Sequence, residues 1–309
     1  MSNTSEILIA NAPVSYGAFE VTVGHDPNVP DGLAILDEVA AAGYDGIDLG
    51  PVGYLGEGAQ LGERLAERNL GLAGAYLEFP FANAAALDNV MHELDATLDT
   101  FDAIASYVTT IKPKPTIADN GSDDRRANPG SGMRRPESSM SASEWDLWVN
   151  GLNRVVKHCR DRGYEPTFHN ETGTYMEAPH ELEKMLESSD VNLCLDTGHF
   201  LLGGGNPVSF FAKWQSRINQ VHTKDSTMSV FERIVKEGGP TTDIWEQEAF
   251  PVLGQGDGSM DEFVIQLRDS GYSGWVVVEQ DCFPKSKERF AKAIADQRTN
   301  RAYLAGLGL

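Results

Sequence analysis

Ionisable side chains recur directly after short apolar runs in the second half of this chain. They are His169 and Glu171 in PTFHNETGT, Asp196 and His199 in VNLCLDTGH, His222, Lys224 and Asp225 in INQVHTKD, and Glu279 and Asp281 in GWVVVEQD. Side chains alternate along a strand, so His169 shares a face with Glu171, Asp196 with Cys194, His222 with Lys224, and Glu279 with Asp281. From Glu171 to Asp196 is 25 residues, from Asp196 to His222 is 26, and from His222 to Glu279 is 57. The first two gaps each equal one strand–helix unit, and the third equals one unit plus a long insertion. Glu171, Asp196, His222 and Glu279 thus offer three carboxylates and one imidazole, a mostly oxygen donor set that suits Mn²⁺, Mg²⁺ or Co²⁺ and also holds Zn²⁺.

Each stretch alone has a plainer reading. Asp-Thr-Gly at a strand end is commonly a turn or a helix N-cap, a lone histidine is commonly a hydrogen-bonded structural residue, and Glu279 could serve an ion pair. Four such ends in successive units favour a shared metal site. Around it, Lys224 is either a substrate contact or a solvated loop lysine, and His199 either touches substrate or steadies Asp196. Lys112 reads as a strand-end residue with substrate contact and salt bridge equally open. Trp145 and Trp148 fit core packing, and LLGGG (201–205) fits a tight chain reversal.

The elements that must position these groups alternate almost throughout. Apolar runs at 7–14, 46–50, 70–79, 107–113, 166–171, 191–196, 218–222 and 274–280 read as strands. Helical apolar spacing falls at 33–44, 61–69, 87–106, 141–163, 179–189, 207–217, 260–271 and 287–307. Ser141 and Glu144 stand at capping-box spacing. Eight strand–helix alternations in 309 residues predict one (β/α)₈ TIM barrel spanning residues 1–309, with active-site groups on its C-terminal face. Two polar connections interrupt the rhythm, 114–140 after the fourth strand and 223–259 after the seventh, and long connections of this kind are commonly functional.

Composition bounds the partners. With 46 acidic against 25 basic residues the formal charge is −21, which opposes the phosphate contacts that nucleic-acid binding requires. The three cysteines, Cys159, Cys194 and Cys282, form no disulfide or metal-binding spacing. No signal-peptide pattern or membrane-length apolar run is present. The expectation is a reduced, soluble, cytoplasmic protein with a small-molecule sugar or cyclitol substrate, with monomer, homo-oligomer and hetero-complex all open.

The motifs LDTGH, VHTKD, LGQGDGSMDEF and GWVVVEQD, with NAPVSYG and AAAGYDGIDLG near the start, resemble the xylose-isomerase-like TIM-barrel superfamily of sugar phosphate isomerases and epimerases. Within it, LDTGHFLLGGGNP is similar to the inosose dehydratase branch. The resemblance implies divalent-metal ligands at Glu171, Asp196, His222 and Glu279, with Mn²⁺ favoured, and proton transfer by the two glutamates. One departure is that inosose dehydratases carry H-x-H-x-G-T where this chain has His169-Asn170-Glu171-Thr172-Gly173-Thr174, which brings related keto-sugar eliminases into view.

These activities share one difficulty, the weak acidity of a proton next to a ketone. A metal steadies the charge that its removal creates, and a carboxylate over the C–H bond accepts it. Glu171 or Glu279 is the expected base, with His169, His199 or Lys224 as acid. The expected activity is that of a lyase acting on a keto-cyclitol or keto-sugar, of inosose or 3-keto-glycoside type. The alternative is a ketose epimerase or isomerase. A DNA-repair endonuclease shares the barrel but uses more metal-binding histidines, and a non-catalytic sugar-binding barrel is the remaining class.

Overall fold

In a computed structural model the structure describes residues 7–108 and 111–309. Among the described residues nine strands form one parallel sheet: β1 (Ile7–Asn11), β2 (Gly46–Ile47), β3 (Gly71–Leu72), β4 (Gly74–Phe79), β5 (Lys114–Asp119), β6 (Thr167–His169), β7 (Asn192–Asp196), β8 (Ile218–Thr223) and β9 (Gly274–Val278). Their order is β3-β2-β1-β9-β8-β7-β6-β5-β4. The two ends of that order, β3 and β4, are halves of one strand interrupted at Ala73. The Ala73 amide donates to Ile47 O at 2.9 Å and its carbonyl accepts from Lys114 at 3.0 Å, so the ring closes there as an eight-unit α/β TIM barrel.

Strand alternation sorts the two faces. Ile9, Ile117, Phe168, Leu193, Leu195, Val221, Val276 and Val278 point outward into one large core with the helices. Ala10, Ala73, Trp275 and Val277 fill a smaller cluster. The helix Ala142–Asp161 shows how local chemistry and packing cooperate. The Ser141 side chain and Glu144 complete the capping box, and Trp145 and Trp148 stack at 5.2 Å. Gly151 in the same helix meets the Phe81 carbonyl so closely that an added Cβ would lie 2.1 Å from that oxygen. Gly151→Ala is expected to destabilise the fold by about 1–3 kcal/mol through overpacking, measured as a lower urea midpoint with unchanged slope.

One strand differs from the sequence expectation. In YVTTIKP (107–113), residues 109–110 lie outside the described residues, and the strand itself is the next stretch, KPTIAD (114–119). Pro115 discourages a strand reading because it lacks an amide donor. Here it is tolerated: β5 begins pairing with β6 only at Thr116, while Pro115 sits opposite Ala75 of β4. Lys112 consequently precedes the strand, at the end away from the mouth, where its Nζ reaches Gly163 O at 3.4 Å.

The connection after β5 therefore starts at Asn120, and it is folded, with helices Asp123–Ala127 and Ser131–Arg134. The connection after β8 carries helices Met228–Glu237 and Thr242–Glu246 around a core of Phe231, Ile234, Ile244, Ala249 and Phe250. The two connections touch: the Thr241 amide donates to Arg126 O at 2.8 Å, and the Arg134 guanidinium lies 5.4 Å from the Phe231 ring centre. The LLGGG segment ends a short helix, Thr197–Leu202, and turns through Gly204 at φ +84°. No helix among the described residues is long and apolar enough to cross a membrane.

Candidate metal centre and acid–base site

The C-terminal ends of β6 to β9 converge. One ligand atom each from His169, Asp196, His222 and Glu279 lie within 4.8 Å of one another, all four residues buried. His169 ends β6, Asp196 ends β7, His222 is the penultimate residue of β8, and Glu279 directly follows β9. Both ring nitrogens of His169, both of His222 and Asp196 Oδ2 are buried without a hydrogen bond. Buried polar atoms are nearly always hydrogen-bonded, so atoms that lack such bonds and converge on one point fit a cation. Asp196 Oδ2 also lies in ion-pair range of Lys224, and His222 Nδ1 in that of Glu279. Two imidazoles and two carboxylates suit a divalent metal such as Mn²⁺, Co²⁺ or Zn²⁺.

Asp196 does two jobs. Its Oδ1 caps the helix Thr197–Leu202 by accepting from the His199 amide at 2.8 Å, while Oδ2 faces the cluster, 3.5 Å from His169 Nε2 and 3.1 Å from Lys224 Nζ. The turn reading of LDTGH holds, and it leaves Oδ2 free to face the cluster because the two oxygens point different ways.

Glu171, which the sequence places among the ligands, lies beside the set. Its Oε2 is 3.5 Å from His169 Nδ1 and its Oε1 is 3.1 Å from His199 Nε2. The strand stops at His169, and Asn170 bridges to the backbone of Asp196, donating to its carbonyl and accepting from its amide at 3.0 Å each. The chain then turns, so alternation no longer governs where Glu171 points.

Lys224 Nζ is enclosed, 3.1 Å from Asp196, 3.0 Å from Glu279, 2.8 Å from Asp281 and 3.0 Å from His199 Nε2. It is buried rather than solvated, under the Phe250 ring at 4.9 Å.

Burial would deprotonate Lys224, yet Asp196, Asp281 and Glu279 outweigh it and hold its pKa well above the usual lysine range. Burial likewise opposes ionisation of Asp196, but Lys224, His199 and His169 win and keep its pKa well below normal. Glu279 is also held low, because His222 and Lys224 overcome burial. In His169 burial dominates and lowers the pKa to about 4, leaving a neutral imidazole. Glu171 moves the other way, pushed up by burial to about 8.

Some residues here escape the sequence reading. Asp48, directly after β2, is buried with its Oδ2 3.7 Å from His222 Nε2, and burial pushes its pKa up to about 7. Its place in GIDLG, after an apolar run, is the same signal that marks the other strand ends. Asp119, ending β5, accepts from Trp148 Nε1 at 2.7 Å and from the Tyr175 amide at 3.1 Å. Asp225 accepts from the amides of Gly254, Gly256 and Gly258 at 2.8–3.0 Å, pinning the glycine-rich LGQGDG segment.

A model of the xylose isomerase-like TIM barrel family matches residues 36–299. The chain belongs to that family. Among curated members it is similar to an inosose dehydratase of Bacillus velezensis, 28% identical over 253 residues and covering 81% of each chain. Among solved structures it is similar in fold to a D-allulose 3-epimerase from Methylomonas sp., with a TM-score of 0.65 and 13% identity over 99% of this chain and 100% of the other. It is likewise similar in fold to the IOLI protein with a bound zinc atom, with a TM-score of 0.66 and 14% identity over 97% of each chain. Its curated relatives of this kind are named inosose dehydratases.

Proposed function

We propose that the enzyme removes the proton next to the ketone of a keto-cyclitol or keto-sugar and expels the β-hydroxyl as water. His169, Asp196, His222 and Glu279 would hold the divalent metal, with Mn²⁺ favoured. What carries this reading is the placement of Glu171, His199 and Lys224 directly against that donor set. When bound, the cation supplies Lewis-acid stabilisation of the negative charge developing on the substrate's carbonyl oxygen.

The protein's own groups divide the remaining work. Glu171 is left outside the donor set and accepts the proton from carbon. His199, 3.1 Å away, holds that carboxylate and shares the proton with it. Lys224 stays charged among Asp196, Glu279 and Asp281, where it orients substrate oxygens. His199 supplies the proton that leaves with the hydroxyl and is replenished by the one Glu171 takes from carbon. Phe250 covers His199 and Lys224, and such cover strengthens electrostatic interactions by excluding water. Similarity to an inosose dehydratase supports the elimination.

The second reading is epimerisation or isomerisation, in which the same intermediate regains a proton and loses no water. Glu171 and Glu279 supply carboxylates from two strand ends for it, and the fold shared with a D-allulose 3-epimerase is consistent with it. Incubating the Mn²⁺-loaded enzyme with 2-keto-myo-inositol and with 3-keto-glucose separates the two. Growth of an enone absorbance is the expected result. Deuterium uptake from solvent without water loss would move the assignment to epimerisation, and neither signal with any keto-polyol would overturn both. Dialysis against a chelator is expected to abolish turnover, with Mn²⁺ restoring more activity than Mg²⁺, Co²⁺ or Zn²⁺.

A further inference from the structure

The Arg-bearing connection after β5 is anchored by a buried ion cluster rather than left free. Arg125 and Glu177 are both fully buried, with Nη1 to Oε1 at 3.0 Å. Arg125 also donates to Glu181 Oε1 at 2.6 Å, to Thr174 O at 3.2 Å and to Ser138 O at 3.3 Å. Glu177 accepts three backbone amides from two segments: Gly132 at 2.6 Å, Gly130 at 3.1 Å and Gly173 at 2.9 Å. The guanidinium and its carboxylates therefore join residues 125–138 to the turn 171–177.

That turn carries the proton-handling groups. The Glu171 amide donates to Met176 O at 3.3 Å and its carbonyl accepts from Thr174 Oγ1 at 2.8 Å. Thr172 Oγ1 lies 2.9 Å from His199 Nδ1, on the ring edge opposite the nitrogen that meets Glu171. Gly173 and Thr174, the residues that Glu177 and Arg125 grip, sit between these contacts.

We propose that Arg125 and Glu177 are positioning residues that fix the 171–177 turn, so that Glu171 and His199 meet in productive register. The role rests on the proton-transfer function proposed above. A buried ion pair contributes little net stability compared with apolar packing, whereas its directional bonds impose one geometry on two loops. The connection after β5 is accordingly fixed against the 171–177 turn.

Glu177→Gln and Arg125→Lys in the full chain test this, with three readings on each. Mn²⁺ affinity by calorimetric titration should stay close to that of the wild type, since no donor is touched. With the keto-polyol substrate, kcat should fall by about 10–100-fold with KM little changed, as expected for slight misplacement of a reacting group. The His199 ring signal in the NMR spectrum, assigned by its loss in His199→Gln, should shift. Arg125→Lys keeps one charge-assisted bond and should retain more activity than Glu177→Gln. A lower melting temperature with the His199 signal and kcat unchanged would overturn the proposal. The NMR reading needs no turnover, so a wild type inactive on every keto-polyol would refute the proposed function while the His199 signal still decides this one. If Glu177→Gln does not fold, Arg125→Lys carries the same three readings.

Discussion

Glu279→Gln is expected to lower turnover by about 10²–10⁴-fold, the range found when a positioned proton-transfer or charge-stabilising group is lost. The change is nearly isosteric, so the barrel should fold normally. The loss instead follows from two contacts. Glu279 Oε2 lies 3.2 Å from His222 Nδ1 and 3.0 Å from Lys224 Nζ, joining the donor set to the buried ammonium. A neutral amide there supplies neither the charge that balances Lys224 nor an anionic ligand. Calorimetric titration with Mn²⁺ should show markedly weaker binding alongside the kinetic loss. A variant that kept both metal affinity and turnover would remove Glu279 from the centre and with it the four-donor assignment.

Lys224→Met should be the most destabilising single change at the site. It leaves the carboxylates of Asp196, Asp281 and Glu279 facing one another without their shared cation, and uncompensated buried charge costs about 3–5 kcal/mol. The pH range follows from the direction of the shift. Lys224 has a raised folded-state pKa, so its contribution is fully present below the unfolded lysine pKa and is lost only as pH rises through the folded value. The deficit in Lys224→Met is therefore expected across neutral pH. Divalent metal should restore part of it, since a ligand that binds only the folded state stabilises by about 2.7 kcal/mol at 100 times its Kd. Urea unfolding at neutral pH, with and without Mn²⁺, measures both effects. An apoprotein of wild-type stability would show that the carboxylates take up protons at little cost.

Much of this was legible from residue order. Strand alternation and the 25–26-residue rhythm placed Asp196, His222 and Glu279 at successive strand ends, because strand geometry repeats every two residues and each βα unit has a nearly constant length. The helix Ala142–Asp161 was marked by Ser141 and Glu144, whose cap is a local interaction. The fourth strand was misplaced at 107–113 for the opposite reason: whether the amide that Pro115 lacks matters depends on where the neighbouring strand begins to pair. The sequence could show Arg125 only as a member of a basic, polar connection. Its burial against Glu177 and Glu181 arises from segments about 50 residues apart.

The sequence by itself determined the barrel and the strand-end places of Asp196, His222 and Glu279, three of the four side chains that converge, since these follow from periodicity. Only the tertiary structure shows that His169, rather than Glu171, stands in the converging group. Both have the same parity, and the choice was made where β6 ends, by Asn170 bridging to the Asp196 backbone. Beyond that residue the chain no longer alternates, and contacts with other strands determine where each side chain points. Glu171 was thereby turned from the donor set toward His199.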